Sequence, residues 1–139
     1  MKVLVIQGAG MDQRGKSQVE IFGPETLEQI NARILQHAES LGIEVEIYQS
    51  NDEDEVVAKL QQLEAGEIDA LIINPGGFTA TEGMLPQTVS ELAVPAFEVH
   101  ASNPTARGVQ STLLPVCKGA ICGFGYAGYA MALQAISGT

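Results

Sequence analysis

The stretch Ala70-Leu71-Ile72-Ile73-Asn74-Pro75-Gly76-Gly77 changes from apolar to polar at its middle. Its first half has no polar side chain, which is typical of a strand buried on both faces of a sheet. Its second half combines an amide, a proline and two glycines, which is typical of a turn. We interpret the stretch as a buried strand that ends in a polar turn. The run Val3–Ile6 is equally apolar and predicts another such strand.

A helical pattern covers residues 27–41, where apolar side chains recur every three or four positions. Thr26 and Gln29 have the spacing of a capping box at its start, and Gly42 is placed to end it. Asn51 is predicted to cap a second helix. The later helical predictions are an end of that second helix at Gly66, a weaker helix over about 85–92 and a last helix from about 126 to 136.

Predicted strands and helices therefore alternate along the chain. The predicted strands cover residues 3–6, 43–48, 70–73, 96–100 and 119–123. This alternation predicts a parallel sheet with helices on both faces. We predict a single domain over residues 1–139 of the α/β class: a flavodoxin-like three-layer sandwich whose five-stranded parallel sheet has the order 2-1-3-4-5.

The composition excludes several classes of partner. The chain has 139 residues, 45% of them hydrophobic, and a formal net charge of −10. A strongly acidic protein lacks the basic surface that nucleic acids and anionic membranes require, although a small anionic substrate needs only local donors. The apolar run near the N-terminus is too short for a signal peptide or a membrane span. We therefore expect a cytoplasmic protein that binds neither nucleic acid nor membrane.

The two cysteines, Cys117 and Cys122, do not have the spacing of a zinc motif, and the chain contains only two histidines. We expect buried free thiols and no metal site. Gly8 and Gly10 resemble the start of a dinucleotide fingerprint, but Gln13 occupies the third glycine position and no helix is predicted to follow at once. The sequence thus predicts no cofactor.

A second stretch, Ala96-Phe97-Glu98-Val99-His100-Ala101-Ser102-Asn103, combines an apolar strand with a carboxylate and an imidazole. Glu98 and His100 are two residues apart, so their side chains leave the same face of a strand. A carboxylate in contact with an imidazole fixes its tautomer, as in catalytic sites. The alternative is a hydrogen-bonded polar pair at the end of a strand.

Three predicted strands end in polar residues, at 7–10, 74–77 and 98–103. In a parallel sheet of this order, ligands bind beside the carboxyl ends of the strands. Asn74 has the chemistry to donate to a substrate oxygen or to hold a water. Ser102 with neighbouring amides has the chemistry to bind a carboxylate, and Gly77 allows close approach of a ligand to the backbone. We predict a ligand site at this edge.

The loop after the first strand, residues 8–25, contains no predicted helix and has the length of a functional lid. Four of its charged side chains either supply chemistry to the site or are simply solvated. They are Asp12, Arg14, Lys16 and Glu20.

Short motifs along the whole chain resemble those of the type II 3-dehydroquinate dehydratases, and they occur in the family's order. The matching segments are Gly8, Gly15, Glu20–Gly23, Thr26-Leu27, Gln49–Asn51, Ile73–Gly76, Glu98–His100, Ser102-Asn103, Ala106-Arg107 and Lys118–Gly125. The resemblance implies a flavodoxin-like fold and a dodecamer built from trimers. It also implies conversion of 3-dehydroquinate to 3-dehydroshikimate, a step of the shikimate and quinate pathways, without a metal or organic cofactor.

The family's mechanism, as the resemblance implies it, uses a tyrosine on the first loop that an arginine activates. This tyrosine takes a proton next to the ketone, a water held by an asparagine stabilises the enolate, and a histidine partnered by glutamate protonates the departing hydroxyl. Here Asn74 matches the asparagine, His100 the general acid and Glu98 its partner. The residues that match substrate-binding positions are Ala101, Ser102 and Arg107.

This chain departs from the family pattern on the first loop. Phe22 occupies the position of the catalytic tyrosine, and Ser17 that of the activating arginine. The family's Thr-His-Thr has become Thr79-Ala80-Thr81, and Gln87 stands where an aspartate reaches in from a neighbouring subunit. The segment after the fourth strand is shorter and lacks a second substrate-contacting arginine.

Three hypotheses follow. In the first, dehydratase activity is lost or strongly impaired, and the retained pocket binds or acts on another small, quinate-like or shikimate-like carboxylate. In the second, the protein is an active, cofactor-independent 3-dehydroquinate dehydratase with a substitute base, for which the candidates are Asp12, Glu20, Tyr126 and Tyr129. In the third, it is a non-catalytic assembly or regulatory protein.

Overall fold

The computed structural model describes residues 1–138 and contains a five-stranded sheet in which all neighbouring strands are parallel. The strand order is 2-1-3-4-5, which confirms the predicted α/β topology. The strands are β1 (Lys2–Ala9), β2 (Glu44–Gln49), β3 (Ala70–Gly76), β4 (Ala96–His100) and β5 (Gly119–Cys122).

The apolar runs of β1 and β3 are buried because these strands occupy the middle of the sheet. Val5 of β1 pairs with Ile47 of β2 on one side and with Ile72 of β3 on the other. The edge strands β2 and β5 remain partly exposed along their length. A central strand with helices on both faces has no polar side to present, which explains the unbroken apolar pattern.

The helices form two layers. They are α1 (Val19–Phe22), α2 (Leu27–Leu41), α3 (Glu53–Gln61), α4 (Leu85–Ser90) and α5 (Ala127–Ser137). Helices α2 and α5 pack on one face of the sheet, where Ile34 and Leu133 share a core with Val5. Helices α3 and α4 pack on the other face, where Leu60 and Leu85 share a core with Leu4 and other strand residues.

Helix α2 begins and ends as predicted. The backbone N–H of Gln29 donates to Thr26 Oγ1 at 3.2 Å, and the N–H of Thr26 donates to Gln29 Oε1 at 3.0 Å. Gly42 ends the helix in the left-handed conformation, with φ of 71°. The capping box and the glycine stop are therefore confirmed.

Two predictions about α3 are wrong. Asp52, and not Asn51, caps the helix, because its carboxylate accepts from the N–H of Asp54 at 2.9 Å. The helix ends at Gln61, several residues before Gly66. Asn51 instead accepts a hydrogen bond from the N–H of Gly10 on the first loop, at 2.9 Å.

Two further predictions need correction. The first loop contains the single helical turn α1 (Val19–Phe22), although no helix was predicted there. This turn has no side-chain cap, which explains why the sequence carried no signal for it. Cys117 and Cys122 are free, but both are partly exposed and not fully buried. Over residues 1–138, no helix combines the length and apolar character needed to cross a membrane.

Candidate functional site

A cavity of about 450 Å³ lies at the carboxyl ends of β1, β3 and β4, at the edge of the sheet where the sequence predicted a ligand site. The first loop covers one side of it. The lining residues are Ala9, Gly10, Gln13, Arg14, Ser17, Gln18, Phe22, Asn74, Gly76, Gly77, Thr79, His100, Ala101, Ser102 and Arg107. The structure thus gathers most of the predicted site residues around one space.

The floor of the cavity depends on a close approach between the ends of β1 and β3. A Cβ atom on Gly8 would lie 2.0 Å from the carbonyl oxygen of Pro75, so only glycine fits there. Gly77 lines the cavity, but its N–H already donates to the carbonyl of Ala9 at 2.8 Å. Close approach of a ligand to the backbone at Gly77 stays a prediction, and the N–H of Gly77 itself is already occupied.

Asn74 is held by a chain of buried hydrogen bonds. Its Nδ2 donates to the hydroxyl of Tyr129 at 2.9 Å, and that hydroxyl donates to Gln7 Oε1 at 2.6 Å. Gln7 in turn donates to Asn31 Oδ1 at 3.2 Å. Burial raises the pKa of Tyr129, so its hydroxyl stays protonated and keeps both contacts. The orientation of the Asn74 amide toward the cavity is therefore fixed from behind.

Glu98 and His100 share a face of β4, as their spacing predicted, and both are buried. The imidazole Nε2 of His100 contacts Glu98 Oε2, and the other carboxylate oxygen accepts from the hydroxyl of Ser111 at 2.8 Å. An imidazolium ring donates from both nitrogens, so the contact of Nε2 with Glu98 leaves Nδ1 as the nitrogen that can give a proton to a ligand. Ser111 was not predicted as a site residue, because it lies in an irregular segment 13 residues after Glu98.

The chain after β4 supplies hydroxyl and guanidinium groups. Ala101 and Ser102 line the cavity directly after the strand ends. Arg107 lies on a short 3₁₀ turn, Pro104–Arg107, and its Nη1 donates to Ser102 Oγ at 2.5 Å. The hydroxyl and the guanidinium therefore form one polar unit at the mouth of the cavity.

The first loop places Phe22 and Ser17 in the cavity wall. The guanidinium carbon of Arg14 lies 3.7 Å from the centre of the Phe22 ring, and that of Arg107 lies 5.6 Å from it. Arg14 is only 7% exposed, and this burial lowers its pKa. No local pattern in the sequence distinguishes Arg14 from the other charged residues of this loop as the one buried at the site.

The other three charged candidates of the first loop, Asp12, Lys16 and Glu20, lie outside the cavity lining. Asp12 accepts a hydrogen bond from Asn51 Nδ2 at 3.2 Å, and Lys16 and Glu20 are exposed. Tyr126, a further candidate base, is also outside the lining, and burial raises the pKa of its hydroxyl. The ionisable residues of the cavity wall are Arg14, His100 and Arg107.

Asn51 attaches the first loop to the sheet. Its Oδ1 accepts from the N–H of Gly10 at 2.9 Å and from Gln49 Nε2 at 3.0 Å. Met11, the next residue of the loop, is completely buried. These contacts hold the start of the loop in place, and Arg14 follows in the cavity wall. The sequence did not predict these contacts, because Asn51 is a residue type typical of a helix cap.

No cluster of three or more His, Cys, Asp or Glu side chains suited to a metal ion occurs within residues 1–138. A wall whose charged groups are guanidinium groups, and which contains no carboxylate in the described part of the chain, favours small anions as ligands. The fold and site therefore define an α/β protein with a cavity whose wall carries two arginines and the histidine of a histidine–glutamate pair.

Comparison with known sequences places the chain in a family. The model of the dehydroquinase class II family matches residues 1–137. The 3-dehydroquinate dehydratase of Pelotomaculum thermopropionicum is 40% identical over 138 residues, which are 97% of this chain and 95% of that protein. The 3-dehydroquinate dehydratase of Geotalea daltonii is 40% identical over 139 residues, which are 98% and 96% of the two chains. The chain belongs to the class II dehydroquinase family.

Solved structures agree. The type II dehydroquinase of Butyrivibrio crossotus has a TM-score of 0.93 at 33% identity and covers 100% of this chain and 98% of its own. A 3-dehydroquinate dehydratase-like protein of Bifidobacterium longum has a TM-score of 0.74 at 28% identity, covering 99% and 96%. The resemblance inferred from short motifs is therefore confirmed over the whole fold.

Proposed function

We propose that this protein binds a small carboxylate in the family's cavity and has lost most or all dehydratase activity. The observation that carries the proposal is Phe22, which lines the cavity where the family resemblance places a catalytic tyrosine. A phenyl ring has no proton to exchange and cannot act as a base.

The proton-donating side of the reaction is retained. His100 contacts Glu98 and lines the cavity, and the Asn74 amide is fixed by its contact with Tyr129. We assign His100 as the general acid, Glu98 as its partner and Asn74 as the group that holds a water beside the substrate. These roles extend the family pattern to side chains that this structure holds in place.

The proton-accepting side lacks a candidate. Among the described residues, no Asp, Glu, Lys or Tyr belongs to the cavity lining, and His100 is already committed to the acid role. Losing a positioned base costs about 10²–10⁴ in rate. Losing a preorganised electrostatic partner costs a further ~10²–10³. From a typical turnover of about 10 s⁻¹, roughly 10⁻³ s⁻¹ or less remains, without strict additivity.

Carboxylate binding has its own support. Ser102 and Arg107 form a hydrogen-bonded pair beside Ala101. Ala101 and Ser102 match the family's substrate carboxylate site, and Arg107 matches a family arginine after the fourth strand. A guanidinium and a hydroxyl donate together to a carboxylate, and charge-assisted bonds of this kind are the strong ones. We therefore place the ligand carboxylate against this pair.

An active dehydratase with a substitute base is the second candidate, and one observation favours it. Tyr126 is close enough to Arg14 for the positive charge to lower the pKa of its hydroxyl, although burial raises that pKa more. A tyrosine beside an arginine is the chemistry that the family uses. Because Tyr126 lies outside the cavity lining, it would act only after the first loop moves.

The deciding experiment adds 3-dehydroquinate to the purified protein and follows the enone absorbance of the product. Turnover below about 10⁻³ s⁻¹, together with a rise in melting temperature on adding quinate or shikimate, supports the proposal. Turnover near 1 s⁻¹ overturns it in favour of an active enzyme, which Tyr126→Phe would then test. A silent assay without ligand stabilisation favours a non-catalytic assembly or regulatory role.

A further inference from the structure

We infer that the ligand of the cavity carries two separate anionic groups, one held at the Ser102–Arg107 pair and the other at Arg14. The inference rests on the proposed function, because it concerns the ligand of the same cavity. It names a dicarboxylate, or a carboxylate that also carries a phosphate, as the chemical class.

Two guanidinium groups face one ring in the cavity wall. The guanidinium carbon of Arg14 lies 3.7 Å from the centre of the Phe22 ring, and that of Arg107 lies 5.6 Å from the same point. All three side chains line the cavity. In place of a tyrosine, the loop side of the site therefore presents an aromatic ring with a cation on each of two neighbouring elements.

Neither cation has a counter-anion in the part of the chain that the structure describes. No ion pair joins Arg14 or Arg107 to a carboxylate within residues 1–138. This is unusual in a chain with a net charge of −10, where acidic side chains are abundant. A ligand that supplies the negative charge would explain why two unpaired arginines line one cavity.

Arg14 carries this argument furthest. Its side chain is 7% exposed, and its Nε has no hydrogen-bond partner. Burial lowers its pKa, the hydroxyl of Tyr126, which lies within hydrogen-bond reach, opposes this shift in part, and Arg107 repels it. Buried cations are normally paired and hydrogen-bonded, so a buried arginine with a free donor indicates a missing acceptor.

A monocarboxylate bound at the Ser102–Arg107 pair would leave Arg14 in this condition. Arg107 already donates to Ser102, so a carboxylate bound at that pair has the guanidinium and the hydroxyl beside it as donors. Closing the cavity over such a ligand would displace water from Arg14 without supplying an acceptor. A second carboxylate or a phosphate group gives Arg14 the bidentate partner that a guanidinium prefers.

The test compares matched ligands by calorimetry with the full chain. Cyclohexanecarboxylate is compared with cyclohexane-1,3-dicarboxylate and cyclohexane-1,4-dicarboxylate, and shikimate is compared with shikimate 3-phosphate. At least one dianion is expected to bind about tenfold or more tightly than its monoanionic partner. Whether a dicarboxylate or the phosphate ester shows the gain identifies the second anionic group.

The outcomes separate the two proposals. Monocarboxylates that bind as tightly as every dianion overturn the two-anion inference and leave the proposed function intact. If no carboxylate of either kind binds, the proposed function fails as well. A preference for dianions supports both.

The preference must depend on Arg14. Arg14→Met keeps a long apolar side chain against Phe22 and is expected to cost the dianion about tenfold in affinity, while the monoanion changes less than about threefold. Arg33→Met is the matched control, since Arg33 pairs with Glu25 at 3.1 Å outside the cavity lining. Should Arg14→Met not fold, Arg14→Gln is measured instead, and an unchanged preference in the folded variant overturns the inference.

Discussion

The two sides of the cavity are built differently. On the strand side, Asn74, Glu98 and His100 are buried. Asn74 and Glu98 are hydrogen-bonded to other parts of the fold, and His100 is hydrogen-bonded to Glu98. On the loop side, Phe22 and Ser17 belong to a segment that connects β1 to α2 and contains two short helical turns, the 3₁₀ turn Met11–Gln13 and α1. A side chain that supports a core network is costly to replace, whereas a loop side chain is not.

This contrast explains how one half of a site can change while the other persists. The strand side contributes to stability whether or not the protein catalyses anything, because removing one partner leaves buried polar groups unpaired. On the loop side, Phe22 and Ser17 are more exposed and, within the residues that the structure describes, take part in no buried hydrogen-bond network of this kind. Retention of Asn74, Glu98 and His100 is thus weak evidence for catalysis, and the identity of the loop residues is the stronger indicator.

The largest effect is expected from restoring the loop side. Phe22→Tyr together with Ser17→Arg introduces a tyrosine and an arginine at the positions where the resemblance places the family's base and its activating cation, and we expect dehydratase turnover to rise at least about 10²-fold. The measurement is the enone absorbance with 3-dehydroquinate as substrate. The added activity should disappear when His100→Ala is combined with the double variant, because the acid is then missing.

Phe22→Leu is the control for this experiment, since it changes the same position without adding a proton. A gain of the same size in Phe22→Leu would show that loop flexibility, and not base chemistry, limits the reaction. A gain that survives His100→Ala would contradict the assignment of the strand side as the acid half.

The second prediction concerns the close approach that shapes the strand side. Gly8→Ala would place a Cβ 2.0 Å from the Pro75 carbonyl oxygen, so we expect a loss of about 1–3 kcal/mol in the free energy of unfolding, as for other overpacked positions. Urea denaturation measures it. Gly119→Ala is the matched control, because nothing lies within 4 Å of the added methyl there. Equal stability of the two variants would contradict the packing argument.

The third prediction addresses the buried chain behind Asn74. Tyr129→Phe removes one hydroxyl and leaves both the Asn74 amide and Gln7 Oε1 without that partner, so we expect a loss of about 1–3 kcal/mol in unfolding free energy. Tyr48→Phe, at a partly buried tyrosine on β2, should change stability by less than about 0.5 kcal/mol. A negligible effect of Tyr129→Phe would mean that Asn74 is not held from behind.

The sequence predicted the strand side well because its signals are local. An apolar run marks a central strand, and a spacing of two places Glu98 beside His100 on one face of it. The loop side depends on contacts between distant residues. Asn51 bonds to Gly10 across the chain, and this contact, together with buried Met11, sets the path that brings Arg14 under the cavity. No local pattern distinguishes such an arginine from a solvated one.

The smallest expected effect tests the low polarity around the strand side. Burial raises the pKa of the Cys117 thiol to about 12, and the negative charge of Glu98 adds to this. An unfolded cysteine has a pKa of about 8.5. As pH rises above that value, the unfolded chain loses the proton while the folded chain keeps it, so stability falls as pH increases.

Cys117→Ala should therefore flatten the decline in unfolding free energy between pH 7 and pH 10, measured by urea denaturation with a reductant present. Partial exposure of Cys117 keeps the change modest. Cys122→Ala is the matched comparison, since burial and Glu98 also raise the pKa of that thiol. An identical pH slope in wild type and Cys117→Ala would mean that water reaches the thiol, and the contrast between a dry strand side and a changeable loop side would then weaken.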